Sequence, residues 1–416
     1  MRKFMFLIAA SIAVPAMGQA VPGHVHSFTC NHQWSDDQGA LIIGALDLNV
    51  DSVISVAAES IITGMTFTLN DLGGVGVGTQ ARAGFIAAAA MWSNVLKDPV
   101  NIRLDVSFVA LGAGILGSTG SSTNSVGYVG LSSLLAGDVK SASDASAVAA
   151  LQPTRLTFAT NEPLAVGGPI DATTRFLDNN NTTDNNFIQI NTAQVKALGQ
   201  VPVYDTATNA FGRDGAVQFS NAFTWDFDPS DGITAGAFDF VGVAAHEIGH
   251  ALGFRSGVDL ADGNAMPFIA APGRTGLKDR AWGTVHDLQR FGTFNSGTVM
   301  DWTIGGTPCF SINGGATCEG PLSTGRRNGD LRQASHWKDD TLLNIVTPLG
   351  IMDPTASGPG GIRPMVISRL DLLAFDVMGY DLAVVPEPSS WLMMIAGFGL
   401  VGGALRRRRQ DDVTVA

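Results

Sequence analysis

The stretch VAAHEIGHALGF, Val243 to Phe254, constrains this 416-residue chain more than any other feature. Residues i and i+4 of a helix lie one above the other on the same face. His246 and His250 can therefore turn one ring nitrogen each toward a single ion. Glu247 follows about a hundred degrees around the helix axis from His246, so it can address a water on that ion without being a ligand. The neighbours Val243, Ala244, Ala245, Ile248, Gly249, Ala251 and Leu252 are apolar or small, which places the helix in the interior. Two buried histidines beside a glutamate are costly without a metal or partners. The pattern predicts a catalytic zinc ion with three protein ligands and an open fourth position. Two histidines are accounted for, and a third ligand has to come from elsewhere.

The elements that must carry this helix can be read from periodicity. Asp239 is the expected cap and Gly253 the expected stop. Upstream, GMTFTLND (Gly64 to Asp71) alternates as a strand, and Ala81 to Pro99 reads as a long helix ended by Pro99. Asn101 to Leu111 alternates again, with Ile102, Leu104, Val106 and Phe108 on one face. FIQINTAQVKALG reads as a strand running into a short helix, and GAVQFSNAFTWDFD as a further strand. From Phe254 to about Met365 the chain is rich in Gly, Thr, Asp and Pro with little sustained period, and loops this long are usually functional. Order returns in SRLDLLAFDVMGYDL, where Ser368 and Asp371 form a capping pair and Gly379 ends the helix. The expected fold class is α+β: a twisted mixed sheet and the active-site helix in an N-terminal lobe to about residue 253, then a loop-rich C-terminal lobe, about 254–383, ending in a helix.

Both chain ends read as addresses. Residues 1–20 carry a basic start at Arg2 and Lys3, an apolar run from Phe4, and small residues Gly18 and Ala20 at a cleavage site, the pattern of a Sec signal peptide. Pro15 interrupts that run too early for a membrane span. At the other end, Pro386-Glu387-Pro388 precedes an apolar run from Trp391 to Leu405, closed by Arg406 to Arg409. That run is short for a stable transmembrane span, so the expected membrane contact is transient. The formal charge is -12, and setting aside the charged residues of both ends leaves about -15 for residues 21–383. So acidic a surface repels nucleic acid and removes that class of partner. Three cysteines suit export: Cys309 and Cys318 flank a glycine-containing turn and form the expected disulfide, leaving Cys30 unpaired.

The tripartite tail over 384–410, followed by a short end at 411–416, resembles the PEP-CTERM sorting signal of Gram-negative bacteria. That resemblance implies an exosortase-type sorting enzyme as partner and a final place at the cell surface or in the matrix. The string HEIGHALGF resembles the zinc helix of the metzincin metallopeptidases, in which a third ligand follows three residues after the glycine. Here that place holds Ser256, a poor zinc ligand. Asp259 is the nearest alternative, His286 a second, and His336 a third. The leishmanolysin branch of the metzincins supplies its third histidine from a Ser-His-Trp context after a long insertion and shortly before a Met-turn. Ser335-His336-Trp337 ahead of Ile351-Met352-Asp353-Pro354 is similar in order, and selects His336 with Met352. Met300, in TVMDWT, precedes His336 and would serve as the Met-turn only if Asp259 were the ligand.

The resemblance implies a zinc metalloendopeptidase acting on protein or peptide substrates, with Glu247 as general base. The rival class is a non-catalytic surface or matrix binding protein that retains a zinc site. Two acidic loops, one with Asp178 and Asp184 and one with Asp226, Asp228 and Asp231, raise calcium as a second metal. Neither has the full EF-hand spacing, so solvated turns are the simpler expectation. Cys30 could place a thiolate on the open zinc position and keep the enzyme latent, as in metzincins with a propeptide cysteine.

Overall fold

The computed structural model describes residues 64–383 except 113, 164–167, 201–211, 269–276, 279 and 357–363, together with the backbone of two short strands nearer the N-terminus. The signal peptide over 1–20 and the tail from 384 onward lie outside the described residues. Residues 1–381 cluster as one compact unit and 382–416 as another. The architecture is mixed α+β with several sheets.

The first sheet has six strands: β1 (Thr29–His32), β2 (Val53–Val56), β3 (Thr66–Asp71), β4 (Asn101–Val109), β5 (Ile115–Ser121) and β6 (Gly215–Ser220). Their spatial order is β1-β5-β6-β4-β3-β2. β3, β4 and β6 run parallel, with Thr66 opposite Asn101 and Gly215 opposite Leu104. β5 reverses direction against β6, with Gly215 opposite Ser121, and β1 then runs parallel to β5. Alternation in β3 and β4 does what the sequence pattern requires: Phe67, Leu69, Ile102, Leu104 and Val106 are buried.

Two helices pack together with this sheet. α1 (Gln80–Val95) is capped by the Thr79 hydroxyl and stops at Leu96, ahead of Pro99. α2 (Phe240–Leu252) is capped by Asp239, whose carboxylate accepts from Gly242 N at 2.8 Å, and closes at Gly253. Phe85 of α1, Phe219 of β6 and Phe240 of α2 form a ring cluster with centroids 4.7 to 5.3 Å apart. Each such ring contributes roughly 1.5–3 kcal/mol by leaving water. Every residue of α2 is buried, so the helix is fixed from all sides.

The region from Phe254 onward is less loop-like than its composition suggests. Arg290–Phe294 and Gly297–Trp302 form a hairpin, flanked by the short strands Cys309–Phe310 and Gly320–Pro321 on one side. On the other side the sheet continues into Phe158–Thr160 and Phe176–Asp178. This second sheet therefore takes strands from both sides of residue 253. Phe158 stacks on Trp302 at 4.0 Å and meets Trp282 edge-on at 5.8 Å. Cys309 and Cys318 are joined as a disulfide, Cα to Cα 5.5 Å, across the FSINGGAT turn. The last described helix, α3 (Arg369–Val377), starts on the Ser368–Asp371 capping box.

Candidate metal centre and cleft

α2 brings His246 and His250 onto one face, and the segment after residue 333 brings His336 to them. His246 Nε2 lies 3.0 Å from His250 Nε2 and 3.3 Å from His336 Nε2. All three side chains are buried. The second nitrogen of each ring faces a main-chain carbonyl: His246 Nδ1 meets Ile351 O at 2.6 Å, His250 Nδ1 meets Phe254 O at 2.6 Å, and His336 Nδ1 meets Gln333 O at 3.1 Å. A carbonyl oxygen only accepts, so each Nδ1 carries the proton and each Nε2 presents a lone pair.

Burial pushes the His246 pKa down to about 4 against the opposing pull of the Ile351 carbonyl, and burial beside His246 drives that of His336 well below its ordinary value. The His246 and His336 rings are neutral at pH 7. Three lone pairs at this separation repel unless a cation lies among them. Nitrogens about 2.05 Å from a tetrahedral zinc lie about 3.3 Å from one another, close to the two edges seen here. Carbonyl partners on the outer nitrogens are the usual device for orienting metal-binding histidines.

Asp259, the alternative ligand, is elsewhere engaged. Its carboxylate accepts from Ala334 N at 2.6 Å, from Ser335 N at 3.0 Å and from the Ser335 hydroxyl. It thereby holds the residues just ahead of His336. Ser256 N donates to Ser335 Oγ at 2.9 Å, and the Ser256 hydroxyl donates to Asp287 at 2.5 Å. Ser256, in the position the metzincin pattern gives to a ligand, instead braces the loop that carries His336. His286, the other alternative, is fully buried among Phe254, Phe310 and Trp337. Neither of its ring nitrogens has a hydrogen-bond partner among the described residues.

Met352 packs beneath the centre: a Cβ on Gly249 would come within 2.5 Å of its sulfur and 3.1 Å of Trp92. That close approach requires glycine between the two histidines. Met300 instead lies in the second sheet, opposite Phe158 and Phe291. The Met352 turn is tied to the other elements by Asp371 of α3. One carboxylate oxygen accepts from Trp337 Nε1 at 2.8 Å and Met352 N at 3.3 Å, the other from Ile351 N at 2.8 Å and Ser368 N at 2.7 Å. Asp371 thus fixes the Ile351 carbonyl that orients His246 and the tryptophan that follows His336.

A narrow cleft opens over His246 and Glu247, walled by Leu116 and Gly117 of β5, Val243, and Asp353, Pro354, Ala356 and Met365. Glu247 Oε2 accepts from the Thr119 hydroxyl at 2.6 Å, and the same hydroxyl reaches the Glu247 carbonyl at 2.9 Å. A Cβ at Gly117 would lie 2.9 Å from Glu247 Oε1, so the strand passes the carboxylate only as glycine. Ser121, two residues beyond Thr119, donates to His250 O at 3.1 Å. Asn191 Nδ2 donates to the carbonyls of His250 and Ala251, and Tyr380 to that of Leu252. These side chains satisfy the carbonyls that the helix end leaves open.

Thr119 and Asn191 carried no marker in the sequence beyond their type, and Asp371 was marked only as the cap of its own helix. Their decisive partners lie far away in the chain. Cys30 belongs to β1, whose backbone pairs with β5, but its side chain lies outside the described residues.

Comparison with known proteins bears on the tail. Residues 384–409 match the PEP-CTERM protein-sorting motif. The PEP-CTERM tail marks an exported protein that is recognised by an exosortase-type sorting enzyme and sorted to the cell surface. No curated protein and no solved structure matches the chain. Among the described residues no helix is long and apolar enough to cross a membrane, and the apolar run of the motif lies outside them.

Proposed function

We propose that the chain is a zinc-dependent endopeptidase that hydrolyses peptide bonds of extracellular or matrix proteins, with a metzincin-like site closest in layout to leishmanolysin. A Sec signal peptide over 1–20 and a Gram-negative host complete this reading. The observation that carries it is the meeting of three proton-free Nε2 atoms beside Glu247 on the floor of an open cleft. Met352 under Gly249, and the order of the zinc helix, His336 and Met352 along the chain, support the family assignment.

His246, His250 and His336 would hold the ion. Bound zinc supplies Lewis acidity, which lowers the pKa of water to near neutrality and polarises a substrate carbonyl. Glu247 accepts a proton from the attacking water and returns it to the departing amine nitrogen. The Thr119 hydroxyl holds one carboxylate oxygen of Glu247 in place, and Gly117 leaves room for the other. The extended edge of the cleft at Leu116 and Gly117, with Val243, Pro354 and Met365 around it, offers an apolar trough for a peptide side chain.

Hydrolysis of casein by the mature protein tests the reading. Wild-type activity should vanish on zinc depletion and return with zinc, and Glu247→Ala should lose at least about a hundredfold in rate while keeping its zinc. Equal activity of wild type and Glu247→Ala would identify a non-catalytic binding protein with a zinc site.

A further inference from the structure

The two aspartates of the acidic loop expected as a solvated turn are buried. Asp178 and Asp184 are 0% and 1% exposed, and Glu162, 1% exposed, joins them from the end of the Phe158–Thr160 strand. Lys278 is the cation among them, 3% exposed, with Nζ 3.3 Å from Asp178 Oδ2. Asp178 Oδ1 is taken by Asn185 Nδ2 at 3.0 Å. Glu162 Oε1 accepts from Lys278 N at 2.5 Å, and Asp184 Oδ1 from the Thr182 hydroxyl at 2.6 Å. The remaining oxygens, Glu162 Oε2 and Asp184 Oδ2, are buried with no hydrogen-bond partner among the described residues.

One ammonium can offset one carboxylate, so ionising all three groups would leave two negative charges uncompensated in the interior. Isolated buried charges of this kind cost several kcal/mol each and are found paired or on a metal. Burial and mutual repulsion push Glu162 up to about 7 and Asp184 up to about 6, with the charge of Asp184 acting on Glu162 and that of Asp178 on Asp184. The three groups therefore act as one electrostatic cluster. Every donor is oxygen, which suits a hard divalent cation and not zinc.

The other acidic places in the fold differ. Asp226, in the second loop, has its oxygens taken by Asp228 N, Thr234 N and the Thr234 hydroxyl. In the cluster of Asp339, Asp340 and Asp353, Asp339 is paired with Arg332, and Asp353 accepts from Thr355 and Asp340 N.

We propose that Glu162 Oε2 and Asp184 Oδ2 are ligands of a structural calcium ion, with Asp178 held beside it on Lys278. Backbone carbonyls and water would complete the shell, as calcium takes six to eight oxygens. The site braces the second sheet, to which Glu162 and Asp178 both belong or adjoin. It stands independently of the peptidase reading.

The test uses the full mature protein, zinc-loaded, in calcium-free buffer. Terbium luminescence should saturate and be displaced by calcium, and a hundredfold excess of calcium over its Kd should raise the melting temperature by roughly 5 °C. Glu162→Gln with Asp184→Asn should abolish both responses, and without calcium should melt no lower than wild type, because the buried repulsion is gone. Either single substitution should weaken calcium at least about tenfold. An Asp226→Asn control should leave both responses intact. Absence of a saturable calcium response in the wild type, or an undiminished response in the carboxylate variants, would overturn the proposal.

Discussion

The two sides of the three-histidine cluster are held by different physics. His246, Glu247 and His250 ride on a helix packed by apolar side chains between α1 and a regular sheet, with Phe85, Phe219 and Phe240 at its start and Trp92 donating to Ala245 O at 2.8 Å. His336 and Met352 come from a segment with little regular structure, held by single buried aspartates that each accept several main-chain or side-chain donors. A packed face spreads its stabilisation over many atoms and tolerates small changes. A carboxylate clamp concentrates it in one residue, whose loss strands several buried donors at once.

The sharpest way to break this contrast is at Asp371. Asp371→Ala leaves the Ile351 and Met352 amides, the Trp337 indole and the Ser368 amide without their acceptor, and should cost about 3–5 kcal/mol in urea unfolding. Phe85→Leu, on the packed side, should cost about 1–1.5 kcal/mol in the same measurement. Comparable costs would erase the distinction.

Next in size is the effect of acid. The His246 pKa is lowered from 6.5 to about 4 in the fold. The unfolded chain therefore takes up the proton first as pH falls, so the contribution is complete above 6.5 and lost between 6.5 and about 4. It amounts to roughly 3 kcal/mol, read by thermal melts of the metal-free protein across that window.

Asp259→Asn sharpens the comparison at the ligand itself. It should leave the helix intact while weakening zinc affinity about 10- to 100-fold, because it loosens the Ala334–Ser335 support of His336. A control outside the contrast is the Cys309–Cys318 disulfide, which closes a short loop in the second sheet. Replacing both cysteines by serine should cost about 2–3 kcal/mol of stability with zinc content unchanged.

The same contrast decides what the sequence could reveal. α2 was legible because its apolar spacing, the Asp239 cap and the Gly253 stop all agree, and the structure has them where the pattern puts them. β3, α1 and β4 were legible for the same reason. β5 was not: ILGSTGS has no apolar alternation, because its Gly117, Thr119 and Ser121 face α2 and serve its polar groups. The second sheet escaped periodicity because several of its strands are only two or three residues long. Asp259 looked like a ligand by distance in sequence and proved to be a brace, since nothing local says which amides an aspartate will meet. Asp178 and Asp184 looked like solvated turn residues and lie in the interior, because their covering comes from Glu162 and Lys278, distant in the chain.

The most direct test of the centre is zinc content and casein hydrolysis measured together for His336→Ala beside Asp259→Ala. His336→Ala should lose tightly bound zinc and activity, while Asp259→Ala should still bind zinc at saturating metal and regain measurable hydrolysis. A His336→Ala protein that keeps stoichiometric zinc and wild-type activity would contradict the assignment of His336 as a ligand.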